Sequence, residues 1–159
     1  MWLLIAVGIV LRLRQYLFNR SLWIDEAAIA SSIVTRSYPD LFKTLDYGLT
    51  APFGFLVASK FVVDIFGNNE LALRFIPFIS GVFVLIIFYQ IGRRYLTPSA
   101  TTIALGILVF SPPLIYLSSE AKQYSVDLLV ATILLWLTLS ISRSKIQASM
   151  SFPPILSYP

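Results

Sequence analysis

The sequence contains no cysteine and no histidine, and only 13% of its 159 residues are Asp, Glu, Lys or Arg. Without Cys there is no disulfide framework and no thiolate chemistry; without His there is no imidazole base and no His-ligated zinc centre. Chemistry in this chain therefore rests on carboxylates, on Lys and Arg, and on hydroxyls. The 12 basic residues exceed the 8 acidic ones and leave a net charge of +4. They are scattered and never run longer than Arg93-Arg94, which excludes the basic stripe of a nucleic-acid binder. No basic n-region precedes the N-terminal apolar run and no small-residue cleavage site follows it, so the run reads as a retained segment rather than a removed signal peptide. Internal repeats and low-complexity stretches are also missing.

What the chain has in abundance is apolar surface. Hydrophobic residues make up 57% and the mean hydropathy is +0.80, against about 45–50% apolar content in a soluble domain. An all-α integral membrane protein is expected, with about four transmembrane helices. Trp2 to Leu13 falls short of the roughly 20 residues that cross a bilayer, but Met1 to Phe18 as one helix reaches about 27 Å if Arg12 and Arg14 snorkel to the interface. Leu71 to Ile91 forms a second span, entered through Asn68-Asn69, whose amides can cap it, and left through Gly92-Arg93-Arg94. Ser99 to Leu117 forms a third, interrupted by Pro112-Pro113. Tyr124 to Ile141 forms the last, closed by Arg143 and Lys145.

Arg and Lys of short loops stay on the cytoplasmic side, so Arg93-Arg94 and Arg143 with Lys145 share that side. The long segment from Asn19 to Glu70 and the Tyr116 to Gln123 connection then face outward. Within the long segment, Asp25 to Arg36 sets Ile29 with Ile33 and Ala30 with Val34 on one helical face and ends at Ser37-Tyr38-Pro39. This helix is expected to lie along the membrane surface. After the loop Tyr47 to Pro52, a second amphipathic helix starts at Pro52, pairs Lys60 with Asp64 at i, i+4, and ends at Gly67. A tail over 146–159, with two Pro-containing breaks and no period, is expected to be disordered.

Several residues invite a functional reading. Asp25-Glu26 follows the interface anchor Trp23, where acids at a helix start are explained by capping and by the helix dipole. Capping does not require two acids at a membrane surface, and a carboxylate near a low-dielectric boundary has the raised basicity of a general base. Glu26 can equally serve as a structural partner for a cation. Glu120 and Lys122 are either solvated helix-end charges or site residues. Asp127, one turn inside the last span, is costly there and points to a partner or a wet cavity. With Gln123, Tyr124 and Glu120 it forms a polar stripe. Arg74, one turn inside the second span, is its expected counter-charge or a ligand for an anionic head group, unless it snorkels. Asp25, Glu26 and Glu120 are also the acids that could hold a hydrated Mg²⁺ or Mn²⁺.

The order of motifs resembles a known family. Leu22-Trp23-Ile24-Asp25-Glu26-Ala27, Ala51-Pro52-Phe53-Gly54-Phe55, Phe66-Gly67 leading to Glu70-Leu71-Ala72-Leu73-Arg74-Phe75, Gly92-Arg93-Arg94, Ser111-Pro112-Pro113 and Tyr116 through Tyr124 resemble the N-terminal part of the GT-C membrane glycosyltransferases. The nearest types are the family 39 protein mannosyltransferases and the bacterial aminoarabinose transferases. The resemblance covers most of residues 10 to 140, making 1–145 the N-terminal part of a GT-C-type transmembrane domain. It implies a multi-pass protein of the bacterial plasma membrane that moves a sugar from a polyprenyl-phosphate carrier to an acceptor at the outer face. The family's catalytic acid maps to Asp25, with Glu26 beside it. Asp25 would act as base, Lys122 and Arg74 would hold the phosphate, Glu120 would orient the sugar or Lys122, and Tyr124 would contact the substrate. Many relatives carry His-Pro-Pro where this chain has Thr50-Ala51-Pro52, so that His is absent here or replaced in its role by Thr50. Members of the family are several times longer, so the spans that complete a lipid-carrier groove are expected outside this chain.

Two rival classes remain open on the residues alone. A transporter places polar groups at mid-bilayer and often shows an inverted repeat; here the stretches Gly81 to Ile87 and Leu129 to Leu135 carry only Thr132. A non-catalytic membrane scaffold needs no site at all, and further spans beyond Pro159 would speak against it.

Overall fold

The computed structural model describes residues 1–45 and 48–150, with side chains through Ser142. All regular structure among these residues is helical: α1 (Trp2–Leu17), α2 (Ile24–Thr35), α3 (Phe53–Phe66), α4 (Glu70–Tyr95), α5 (Pro98–Phe110), α6 (Pro112–Leu117) and α7 (Tyr124–Met150), with a 3-10 turn at Pro39–Phe42. The boundaries follow from local chemistry. Asn69 starts α4 by accepting the Ala72 N–H at 2.8 Å, and Thr97 starts α5 by accepting that of Ala100 at 3.3 Å, each filling an orphan donor of the first turn. Pro52 is the N-cap of α3, and Gly67, at φ 84°, stops it in a conformation that disfavours any residue with a Cβ. At the break between α5 and α6, Pro112 and Pro113 cannot donate to the carbonyls of Leu108 and Val109.

Two helices, α4 and the Tyr124–Ser142 part of α7, are long and apolar enough to cross a membrane. Helix α4 is central: it packs on α1, α3, α5 and α7. Ile5, Leu85, Leu105 and Val109 form one core between α1, α4 and α5. The other core, built on Ile29, Ile33, Phe55, Leu56, Val62 and Leu73 with Leu41 and Ala121, seats α2 and α3 on the head of α4. Large side chains of this second core, such as Ile33, Phe55 and Leu56, contribute about 1.5–3 kcal/mol each where they are removed from water. By contrast Leu3, Val10, Leu17, Ile103, Ile107, Leu134 and Ile141 are exposed, an apolar surface suited to lipid and not to water.

Three expectations from the sequence change. Arg12 does not snorkel: it is 1% exposed, and its guanidinium donates to Gly8 O at 3.2 Å and to Leu108 O at 3.3 Å. The Pro112 break freed that carbonyl, and a long cationic side chain from α1 fills the gap. Glu120 and Asp127 do not share a helical stripe, because residues 118–123 form a turn and α7 begins at Tyr124. Helix α7 continues to Met150 beyond Ile141. The 146–150 part of the expected tail is thus helical in backbone, and 151–159 lie outside the described residues, as does Tyr47 of the expected loop.

Candidate active site at the head of the bundle

The chain leaves α1, turns at Asn19 with φ 43° and runs through Arg20 to Trp23, the N-cap of α2. Glu26, in the first turn, reaches back and accepts the Trp23 N–H through Oε2 at 3.0 Å. The cap of α2 is therefore supplied by Glu26 rather than Asp25. Its Oε1 accepts the Ala121 N–H at 2.7 Å, across 95 residues of chain. Arg74 stands 3.6 Å from Oε2 and Arg20 stands 3.8 Å from Oε1. Glu26 is 0% exposed, and a fully buried carboxylate is tolerable when hydrogen bonds and cations surround it in this way.

Arg74 lies behind Glu26, 1% exposed, and donates to Arg20 O at 2.7 Å. Its ion-pair partner is Glu26, so the expected pairing with Asp127 does not form. Nor does it snorkel. Arg20 carries the network forward: it lies 4.1 Å over the Tyr116 ring, donates to the Tyr116 hydroxyl, and pairs with Glu120 at 3.5 Å.

The turn after α6 is tied by its own hydroxyls. Ser118 donates to Ile115 O at 2.6 Å and Ser119 to Tyr116 O at 3.0 Å, local bonds that let Ser end a helix and hold a tight turn. This turn aims the Ala121 N–H at Glu26 and brings Lys122 to Asp25, Nζ to Oδ2 at 3.0 Å. Burial alone would lower the lysine's pKa; the hydrogen bond to Asp25 and the neighbouring negative groups outweigh it and leave the value raised. Lys122 is thus a cation at neutral pH, and on the alkaline side the stability its charge contributes to this pair is lost as pH rises past the ordinary lysine value of 10.5 and through the raised one.

Asp25 differs from its neighbour. Its side chain is 60% exposed and lines a cavity of about 440 Å³ together with Trp23, Ile24, Glu26, Tyr116, Glu120 and Lys122. A more apolar cavity of about 520 Å³, lined by Ala27, Ala28, Ser31 and Leu49, shares Ile24 and Asp25 with it. The cluster is neutral: Arg20, Arg74 and Lys122 balance Asp25, Glu26 and Glu120. No group of three acids able to hold a metal ion forms among the described residues. Each acid of the expected Mg²⁺ or Mn²⁺ set is turned to a cation instead, Asp25 to Lys122, Glu26 to Arg74 and Glu120 to Arg20, so this donor set does not fit a divalent ion.

Of the residues singled out from sequence, Asp25, Glu26, Arg74, Glu120 and Lys122 come together. Tyr124 lies at their edge, its ring 5.6 Å from Lys122 Nζ. Gln123 Oε1 is buried without a partner. Asp127 is exposed on α7 and forms no ion pair among the described residues. Arg20 and Tyr116 belong to the cluster and were not anticipated. Charge balance is the signal available in the sequence: Asp25, Glu26 and Glu120 are three acids against the two cations Arg74 and Lys122, which leaves room for another cation.

Residues 50–150 match the sequence model of the family described as dolichyl-phosphate-mannose-protein mannosyltransferase. The matched stretch includes Arg74, Tyr116, Glu120, Lys122, Gln123, Tyr124 and Asp127 and stops short of Arg20, Asp25 and Glu26. Neither the curated proteins nor the solved structures yield a match. With apolar helices long enough to cross a bilayer and a match over most of its length, the chain belongs to the dolichyl-phosphate-mannose-protein mannosyltransferase family, membrane-integral glycosyltransferases of the GT-C type.

Proposed function

We propose that this chain carries the catalytic head of a glycosyltransferase that moves a sugar from a polyprenyl-phosphate donor to an acceptor hydroxyl at the extracytoplasmic face of a bacterial plasma membrane. The observation that carries this reading is the meeting of Asp25 and Lys122, 97 residues apart in sequence, at 3.0 Å on the wall of a roughly 440 Å³ cavity. In this topology α1, α4, the α5–α6 pair and α7 are the four spans, and α2 and α3 lie at the outer interface.

The reaction is an inverting displacement. The acceptor oxygen bonds to the anomeric carbon while its proton passes to Asp25; the bond from that carbon to the phosphate oxygen breaks, and its electron pair leaves with the polyprenyl phosphate. The leaving group needs cations rather than an acid. Lys122 and Arg20 are the cations that line or border the cavity. Arrival of the donor phosphate draws Lys122 away from Asp25 and frees the carboxylate to take a proton, so donor binding prepares the base. Arg74, buried behind Glu26, positions that acid and through it the Ala121 turn. Glu120 orients the sugar or Arg20, and Tyr116, Gln123 and Tyr124 contact it. Asp127 lies further along α7 and joins the substrate path only beyond this cavity.

Sugar transfer from polyprenyl-phosphate donors by the full-length gene product in membranes tests the reading. Asp25→Asn is expected to lower transfer by roughly 10²–10⁴-fold, the usual size of a general-base contribution. Undiminished transfer by this variant removes the assignment.

A further inference from the structure

The opposite end of the bundle holds another cavity, of about 580 Å³, lined by Trp2 of α1, Tyr89, Gln90, Arg93 and Arg94 of α4, and Trp136 of α7. Its volume lies within the range of roughly 300–1,000 Å³ for small-ligand sites. Trp2 and Tyr89 pack in a T shape, with ring centres 5.3 Å apart at 67°, and the Arg93 guanidinium sits 5.9 Å from the centre of the Tyr89 ring. Both arginines are exposed, and neither forms an ion pair among the described residues. No lining residue is acidic. Helix α4 carries its acid, Glu70, about 35 Å away at the other end, taking 1.5 Å per residue.

We infer that this cavity binds the phosphodiester head group of an anionic phospholipid in the leaflet opposite the Asp25–Lys122 cluster. Paired guanidiniums recognise phosphate oxygens through parallel N–H donors. Trp and Tyr around them belong to the depth at which head groups meet acyl chains, and the cavity opens between the ends of apolar helices. Arginines that only fix topology need no recess framed by aromatic rings and do not discriminate between head groups. This site is independent of the transfer reaction proposed for the other pole.

The three tryptophans of the chain make the test specific, because Trp2 and Trp136 line this cavity while Trp23 lies at the other end. The full chain with Trp23→Phe is reconstituted in phosphatidylcholine vesicles containing a small fraction of acyl-brominated phosphatidylglycerol or, separately, brominated phosphatidylcholine. Phosphatidylglycerol is expected to quench the remaining tryptophans at about tenfold lower mole fraction. Arg93→Gln with Arg94→Gln should abolish that preference, and the paired Lys variants should keep part of it. Circular dichroism confirms that each variant retains its helices. Equal quenching by the two lipids, or a preference that survives in the Gln variants, overturns the proposal. Loss of the preference on adding millimolar inorganic phosphate also overturns it, by showing that the arginines read a free anion and not a lipid.

Discussion

Asp25 and Glu26 are adjacent carboxylates with opposite environments. Glu26 is buried among two N–H donors and two guanidiniums; Asp25 is 60% exposed with a single lysine partner. Removing one member of a buried pair strands the other charge, which costs about 3–5 kcal/mol, whereas an exposed pair contributes about 0–1 kcal/mol. Glu26→Ala, which leaves Arg74 buried and unpaired, is therefore expected to lower stability by about 3–5 kcal/mol, and Asp25→Ala by less than about 1 kcal/mol. Thermal or denaturant unfolding of the full chain in detergent, followed by helical circular dichroism, measures both; equal losses would contradict this division of roles. The sequence made the acids visible but not their division. Neighbours on a helix point about 100° apart, and which one turns inward depends on Arg20, Arg74 and the Ala121 N–H, all of which arrive from distant segments. Arg20 itself, in a short loop before Trp23, carried no periodic signal.

Elements were more legible than their contacts. The Asn69 and Thr97 caps, Pro52 before α3, Gly67 after it and the diproline break act within a few residues, so the sequence itself specifies the helix ends. What it leaves open is where helices touch. Gly81 of α4 is such a point: a Cβ there would lie 2.8 Å from Ser118 Cβ. Ser118 is 0% exposed and its hydroxyl is held by Ile115 O, so it has no room to withdraw. The crowding acts on the turn that aims Ala121 at Glu26. Gly81→Ala is expected to cost about 1–3 kcal/mol, the range for overpacking. A Cβ on Gly106 of α5 meets nothing within 4 Å, and Gly106→Ala should be neutral or stabilising by up to about 1 kcal/mol through helix propensity. Unfolding of the two variants under the same detergent conditions checks the pair, and a Gly81→Ala protein as stable as Gly106→Ala would mean that α4 and the turn do not approach so closely. Arg12 shows the same limit from another side: nothing in the spacing of α1 says that its cation will be taken up by a carbonyl on α5.

At the scale of the whole molecule, two poles face each other along α4. Arg74, in the Asp25–Lys122 cluster, and Arg93, in the arginine and tryptophan cavity, are about 28 Å apart at 1.5 Å per residue, close to the roughly 30 Å of a bilayer's hydrocarbon core. Between them the bundle exposes apolar side chains. Helix α4 is 44% buried along its apolar stretch and α7 only 11%, so α7 presents most of its face outward, to lipid or to further helices. In the proposed topology, with Arg93 and Arg94 cytoplasmic, α2 lies outside and the α4–α5 connection inside. Because the chain has no cysteine, single thiols report this without background. Ser31 on α2 and Ser99 at the start of α5 are both exposed and lie outside the charged clusters. In intact cells Ser31→Cys is expected to react with a membrane-impermeant maleimide, while Ser99→Cys reacts only after permeabilisation. Reaction of both from outside would mean that α4 does not cross the membrane between them, and the reverse pattern would place the Asp25 cavity on the cytosolic face, where transfer to an external acceptor could not occur.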